Sequence, residues 1–197
     1  TNLFPRRMSK TAIVIPARWA STRLPAKPLL PLAGKPLVRH VWERCSKVRG
    51  VDAVIVATDD MRIAEAAFEF GAEVAMTSPR HPSGTDRIAE VAKNLVGFDI
   101  VLNVQGDEPF IQPALVEKLA TALREDKKLE MSTAACALDP ADLANPNCVK
   151  VVTDLAGNAL YFSRAPIPCD RDGDANPSRL RHLGIYGYRR KFLLDFV

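Results

Sequence analysis

Two textures alternate along the first two-thirds of the chain. Short apolar or β-branched runs at residues 11–17 (TAIVIPA), 53–58 (AVIVAT), 73–77 (EVAMT), 99–105 (DIVLNVQ) and 131–137 (MSTAACA) read as strands. Between them lie segments with helical spacing. Residues 35–48 carry Leu37, Val38, Val41, Trp42, Cys45 and Val48 on one face. Residues 61–70 form an alanine-rich helix stopped by Gly71, and residues 85–96 a helix with Ile88, Val91, Ala92 and Leu95 inward. Thr85 is that helix's plausible N-cap, and Gly97 its stop. Residues 113–124 carry proline in the first turn of a further helix.

Continuous apolar strands alternating with amphipathic helices predict a mostly parallel sheet covered on both faces, a doubly wound α/β domain. In such a domain ligands gather beyond the carboxyl ends of the strands. Chemistry is therefore expected just after Ala17, Thr58, Thr77 and Gln105.

After residue 138 the pattern changes. Residues 149–153 and 159–163 flank DLAGN, a turn signal, and predict a hairpin. Residues 165–178 form a loop rich in proline and aspartate, residues 182–188 (HLGIYGY) a strand, and residues 189–197 the opening of a helix. The expected organisation is an α/β core over 8–138 with a smaller β-rich lobe over 139–197. Trp19, Trp42 and the pair Phe68 and Phe70 read as packing residues.

Composition narrows the function classes. The 197 residues are 47% hydrophobic and 25% charged, which is ordinary for a globular protein and excludes global disorder. The net charge of +4 suits an anionic ligand but is not the dense basic field of a nucleic-acid binder, so no nucleic-acid partner is expected. Apolar runs such as residues 53–57 are far too short to cross a bilayer, so no membrane insertion is expected. The four cysteines show no CxxC pairing and no secretory pattern precedes them, which points to reduced thiols in the cytoplasm. The three histidines lie far apart, against a structural zinc site. Residues 1–7 read as an extension ahead of Met8, a natural start, and carry no weight in the fold reading.

The loop after the first strand holds Arg18, Arg23 and Lys27, with Ser21 and Thr22 and no acid. Guanidinium forks and an ammonium at a strand end suit a polyphosphate; the plainer reading is a solvated basic loop. Its position at the strand end favours the phosphate reading. The loop is neither GxxxxGK[ST] nor GxGxxG, against a P-loop NTPase and a dinucleotide oxidoreductase. Gln105-Gly106-Asp107-Glu108-Pro109 follows another strand. Its acid is either a Mg2+ ligand beside phosphate or ordinary turn chemistry. Asp59 and Asp60 read first as helix caps. Ser83-Gly84-Thr85 can cap a helix and can also approach a base closely. Arg164, His182 and Tyr186 suit an acidic, hydroxylated ligand, but on the residues alone polar edge-strand decoration is the preferred reading.

IPARWASTRLPAKPL, HPSGTDR, NVQGDEP, LYFSRAPIP and RHLGIYGY, in this order and spacing, resemble the CMP-KDO synthetases, the 3-deoxy-manno-octulosonate cytidylyltransferases. The resemblance runs from about residue 11 to the C-terminus. NVQGDEP and the loop from Arg18 to Lys27 are shared with related sugar cytidylyltransferases, and LYFSRA with RHLGIYGY is more specific to the KDO enzyme. The resemblance implies a Rossmann-like nucleotidyltransferase fold. It implies the reaction CTP + KDO → CMP-KDO + pyrophosphate, which activates KDO for lipopolysaccharide, with Mg2+ as cofactor and a homodimeric assembly.

Residue by residue, it implies that Arg18 and Lys27 hold the CTP phosphates, with Ala17, Ser21 and Arg23 lining that loop. Gln105 and the Ser83-Gly84 turn frame the cytidine, Asp107 binds Mg2+, and Arg164, His182 and Tyr186 hold KDO. Family members continue beyond residue 197 into a segment with a second metal-binding aspartate, so the chain reads as C-terminally truncated. The alternatives are a sialic-acid or other sugar cytidylyltransferase, and a non-catalytic nucleotide-binding fragment.

Overall fold

The computed structural model describes residues 9–20, 24–171 and 177–197. Among the described residues ten strands and five α-helices follow one another: β1 (Lys10–Ala17), β2 (Pro31–Leu32), β3 (Lys35–Pro36), α1 (Leu37–Cys45), β4 (Ala53–Thr58), α2 (Met61–Glu69), β5 (Glu73–Met76), α3 (Gly84–Asn94), β6 (Phe98–Asn103), α4 (Pro113–Glu125), β7 (Met131–Ala137), β8 (Lys150–Thr153), β9 (Ala159–Ser163), β10 (Leu180–Arg189) and α5 (Arg190–Phe196). Among the described residues no helix is long and apolar enough to cross a membrane.

The chain forms two compact units. One runs to Ser132 and takes in Ile185–Val197; the other is Thr133–Gly184. The units are thus drawn differently from a division at residue 138. The reason is that the C-terminal half of β10 lies antiparallel to β6, with Tyr186 opposite Asn103 and Arg189 opposite Ile100.

In the first unit, β1 lies between β4 and β6 and is parallel to both, with β5 parallel to β4 beyond it. Burial on both faces makes the middle of β1 an unbroken apolar run: Ala12, Ile13, Val14 and Ile15 are wholly buried. Val14, Ile55, Ala57 and Val101 pack with Ile88, Ala89 and Ala92 of α3 and Leu193 of α5. Ile13, Ile15 and Leu102, one step out of phase, turn to the opposite face. There α1 and α4 close the core with Val38, Val41, Val116, Leu119 and Leu123. This is the expected α/β architecture, a mostly parallel sheet with helices on both faces.

Two local expectations change. Thr85 is not the cap of α3: Ser83 is, its hydroxyl accepting from the Asp86 N–H at 3.2 Å. Thr85 is instead taken by the Tyr188 hydroxyl. Phe68 is no packing residue, being 60% exposed. Small residues Ala64 and Ala67 form the buried face of α2 with Ile63, and Phe70 alone meets Trp42, at 5.2 Å between ring centres.

In the second unit, β8 and β9 form the expected antiparallel hairpin. Its turn is closed by the Asp154 carboxylate, which accepts from the N–H groups of Ala156 and Asn158 at 2.9 and 2.7 Å. Gly157 there sits at φ 85°, a left-handed conformation that glycine adopts without a steric penalty. The N-terminal end of β10 pairs with β8.

Candidate functional site

A cleft of about 510 Å3 opens at the carboxyl ends of β1 and β6, lined by Pro16, Ala17, Arg18, Leu24, Lys27, Pro28, Gln105, Gly106 and Asp107. Its position follows from the parallel sheet, since both loops leave adjacent strands in the same direction.

The loop after β1 closes on itself. The Ala26 N–H donates to the Trp19 carbonyl at 3.1 Å, and Arg18 and Lys27 both line the cleft. The Arg62 guanidinium lies 3.2 Å from the centre of the Trp19 ring and pairs with Asp60 through both nitrogens, so the start of the loop is anchored to α2. Asp60 also caps α2, accepting from the Arg62 N–H at 3.0 Å. Ser21 and Arg23 lie outside the described residues.

The opposite wall depends on Gly106. A Cβ there would stand 2.9 Å from the Pro16 carbonyl oxygen, so only glycine lets the loop after β6 pass directly beneath the end of β1. Gln105 and Asp107 are thereby held against Pro16 and Ala17. Gln105 donates from Nε2 to the Asn103 carboxamide oxygen at 3.0 Å. A Cβ on Gly84 would lie 3.8 Å from Gln105 Oε1 and 3.5 Å from Pro16 Cγ, so the Ser83-Gly84 turn borders the same corner.

Across the cleft, Lys27 Nζ donates to Asp107 Oδ2 at 2.5 Å, with the two side chains 37% and 46% exposed. Exposed pairs of this kind contribute about 0–1 kcal/mol. The pair is therefore easily exchanged: an anion can take the ammonium and a cation the carboxylate. Among the described residues no three His, Cys, Asp or Glu side chains cluster to hold a metal unaided. A half-exposed single carboxylate beside a cationic cleft fits Mg2+, which takes one or two carboxylates and completes its octahedron with phosphate oxygens and water.

Of the remaining predicted residues, Tyr186 belongs to the first unit, opposite Asn103 on β10, and burial raises its pKa above the ordinary tyrosine value. Arg164 and His182 belong to the second unit. Arg164 is exposed and donates from its guanidinium to the Pro146 carbonyl at 2.6 Å. His182 Nε2 lies 2.9 Å from Thr133 Oγ1, with the Phe162 ring edge-on at 4.8 Å. Burial lowers the pKa of His182 from its ordinary value, so at neutral pH the ring offers one donor and one acceptor, not a charge. Arg164 is then the fixed cation of the pair.

Two buried cations escaped the sequence reading. Arg87 donates to Asp59 at 3.0 Å and to the Thr77 hydroxyl. Its signal was its place four residues before Val91 on the inward face of α3. Lys150 is wholly buried at the start of β8; its signal was a lone lysine inside the apolar run CVKVV.

Comparison with known proteins adds an independent line. A family model described as Cytidylyltransferase matches residues 12–197. The chain is 52% identical to a 3-deoxy-manno-octulosonate cytidylyltransferase of Cellvibrio japonicus, over 94% of this chain and 77% of that protein. It is 49% identical to the enzyme of the same name from Escherichia coli, over 96% of this chain and 76% of that one. Among solved structures it is similar to a CMP:2-keto-3-deoxy-manno-octonic acid synthetase complexed with CTP, with a TM-score of 0.92 and 48% identity, covering 95% of this chain and 77% of that one.

Proposed function

Because the chain belongs to the 3-deoxy-manno-octulosonate cytidylyltransferases, we infer that it transfers the cytidylyl group of CTP to the acid sugar KDO. The anomeric hydroxyl oxygen of KDO forms a bond to the α-phosphorus. The bond from that phosphorus to the bridging oxygen breaks, pyrophosphate leaves with the electron pair, and the hydroxyl proton passes to solvent. No covalent enzyme intermediate is needed, so the protein's task is positioning and charge neutralisation.

The observation that carries this reading is the cleft itself, which gathers Arg18, Lys27, Gln105 and Asp107. Arg18 and Lys27 take phosphate oxygens, the first with its planar fork and the second as a point charge. Gln105 and the Ser83-Gly84 turn frame the cytosine, where the missing Cβ of Gly84 leaves room for the ring. Ser21 and Arg23 are assigned to the phosphates by their place in the same loop. Asp107 is the residue that would hold Mg2+ with the triphosphate; the ion would neutralise charge on the α-phosphate and make its phosphorus more electrophilic. With CTP bound, Lys27 would exchange the Asp107 carboxylate for phosphate, which would leave Asp107 free to hold the Mg2+. Arg164 is assigned to the KDO carboxylate, which it can hold bidentately, and His182 to a sugar hydroxyl.

The reaction is tested by pyrophosphate release in the presence of CTP and Mg2+. Release is expected with KDO and not with sialic acid. Release with sialic acid alone would make the enzyme a different sugar cytidylyltransferase, and none with either would leave a nucleotide-binding protein.

Replacing Arg18 or Lys27 by alanine is expected to weaken CTP roughly ten- to a hundredfold, the value of a charge-assisted contact. Cytidine, which lacks phosphates, should bind as before. Titration calorimetry with both ligands distinguishes this from a general loosening, in which CTP and cytidine would weaken alike.

The homodimer of this reading is placed on β9. That strand pairs with β8, has no second strand neighbour among the described residues, and exposes Tyr161 to 62%. Light scattering should show a dimer for the native chain and a monomer for Tyr161→Asp. The four cysteines are free thiols, in keeping with a cytoplasmic enzyme.

A further inference from the structure

The wholly buried Lys150 takes part in none of the chemistry above, yet its surroundings are specific. An ammonium has three N–H donors and no acceptor. Here each donor meets one backbone carbonyl: Asn145 at 2.8 Å, Cys148 at 3.0 Å and Arg164 at 2.9 Å. All four residues lie in the second unit. Two of the carbonyls belong to the loop before β8, and the third to the residue immediately after β9. The Arg164 guanidinium grips the same loop from its exposed side, at the Pro146 carbonyl. The loop 145–148 is thus held from within by Lys150 and from without by Arg164, while Lys150 also fixes the Arg164 backbone.

A buried ammonium whose hydrogen bonds all go to main-chain carbonyls, with the Asp142 carboxylate acting on it only through its charge, is a costly way to fill space. An apolar side chain would pack the strand without desolvating an ion. What the lysine supplies, and a leucine would not, is a three-way tie that fixes the backbone of Arg164.

We propose that Lys150 is a positioning residue for the acceptor sugar: by fixing the backbone of Arg164 and the loop on which its side chain leans, it sets the affinity for KDO without touching it. The proposal rests on the reading that Arg164 holds the KDO carboxylate. The residues lining the CTP cleft all belong to the other unit, so an effect through Arg164 should leave CTP alone.

The test measures KM for KDO and for CTP in the full chain carrying Lys150→Met, Lys150→Gln, Arg164→Ala and the double change Lys150→Met/Arg164→Ala. Lys150→Met should raise KM for KDO about tenfold or more, as expected for the loss of hydrogen bonds from a charged group, with KM for CTP within about twofold of native. Lys150→Gln, which keeps two N–H donors without the charge, should fall between native and Lys150→Met, and it carries the test if Lys150→Met does not fold. Because Lys150 acts through Arg164, the double change should raise KM for KDO no further than Arg164→Ala alone. An unchanged KM for KDO in both Lys150 variants, an equal rise for CTP and KDO, or full additivity in the double change would each overturn the proposal. If Arg164→Ala itself left KM for KDO unchanged, the carboxylate assignment would fail first, and that result is distinct from the other three.

Discussion

Asp107→Asn is expected to lower Mg2+-dependent turnover roughly a hundred- to a thousandfold, since a metal positioned at the reacting phosphate contributes several kcal/mol to the transition state. The fold should survive almost untouched. The carboxylate is 46% exposed and pairs with a lysine that is itself 37% exposed, so the lost pair is worth about 1 kcal/mol at most. The sign of a second measurement makes the prediction specific. Without Mg2+, the native Asp107 repels the triphosphate and competes with it for Lys27. Removing the charge should therefore leave metal-free CTP binding as tight as before, or tighter, while the gain in affinity on adding Mg2+ disappears. Calorimetry with and without the metal reads both quantities. Near-native turnover would remove Asp107 from the reaction, and a fall in melting temperature to match the loss of activity would return it to the role of a turn residue.

The sheet was legible because burial leaves a one-dimensional trace. The buried stretches of β1, β4 and β6, such as 12–15, 55–57 and 100–102, are covered on both faces, so they are continuous apolar runs that need no partner to be recognised. The ends of elements were less legible, since competing local signals are settled by contacts distant in sequence. Ser83 and Thr85 both carry a hydroxyl able to cap α3. The choice falls on Ser83 because its backbone is still extended, φ −134° and ψ 166°, whereas Thr85 already lies inside the helix and hydrogen-bonds with Tyr188 of β10. The strand ending at Asn103 stops two residues short of the expected Gln105, because Gly106 must turn beneath the Pro16 carbonyl and takes Gln105 with it.

The site divides in the same way. Arg18, Gln105 and Asp107 lie within four residues of a strand end, where the topology alone predicts a ligand, and Lys27 closes the same loop as Arg18; all four line one cleft. Arg87 and Lys150 were invisible because their partners have no local signature. Arg87 meets an aspartate 28 positions earlier, and Lys150 meets main-chain carbonyls, which every residue possesses. A charged residue on the inward face of an amphipathic pattern is the trace such groups leave, and it says that a partner exists without saying which.

Arg87 carries the largest expected effect on stability. Its side chain is 3% exposed and that of Asp59 is 11% exposed, so the pair is screened little by solvent. The guanidinium also reaches the Thr77 hydroxyl, which donates in turn to the Thr58 carbonyl at 3.0 Å. Through these bonds one side chain of α3 ties together the ends of β4 and β5. Asp59 Oδ1 is buried and without a hydrogen-bond partner among the described residues, so the carboxylate depends on Arg87 for most of its compensation. Arg87→Met keeps much of the volume but strands that charge. The expected loss is about 3–5 kcal/mol, or a melting temperature lower by roughly 6–20 °C for a chain of this size. Adding Asp59→Leu should restore most of the loss, because an apolar pair in place of a buried ion pair is often neutral or stabilising. The single change should also raise KM for CTP more than it lowers kcat, since the Ser83-Gly84 turn at the base corner belongs to the same helix end. Urea melts of the two single variants and the double decide the matter. A cost below about 1 kcal/mol for Arg87→Met, or a double variant no better than the worse single, would show that the charge is satisfied by something other than this arginine.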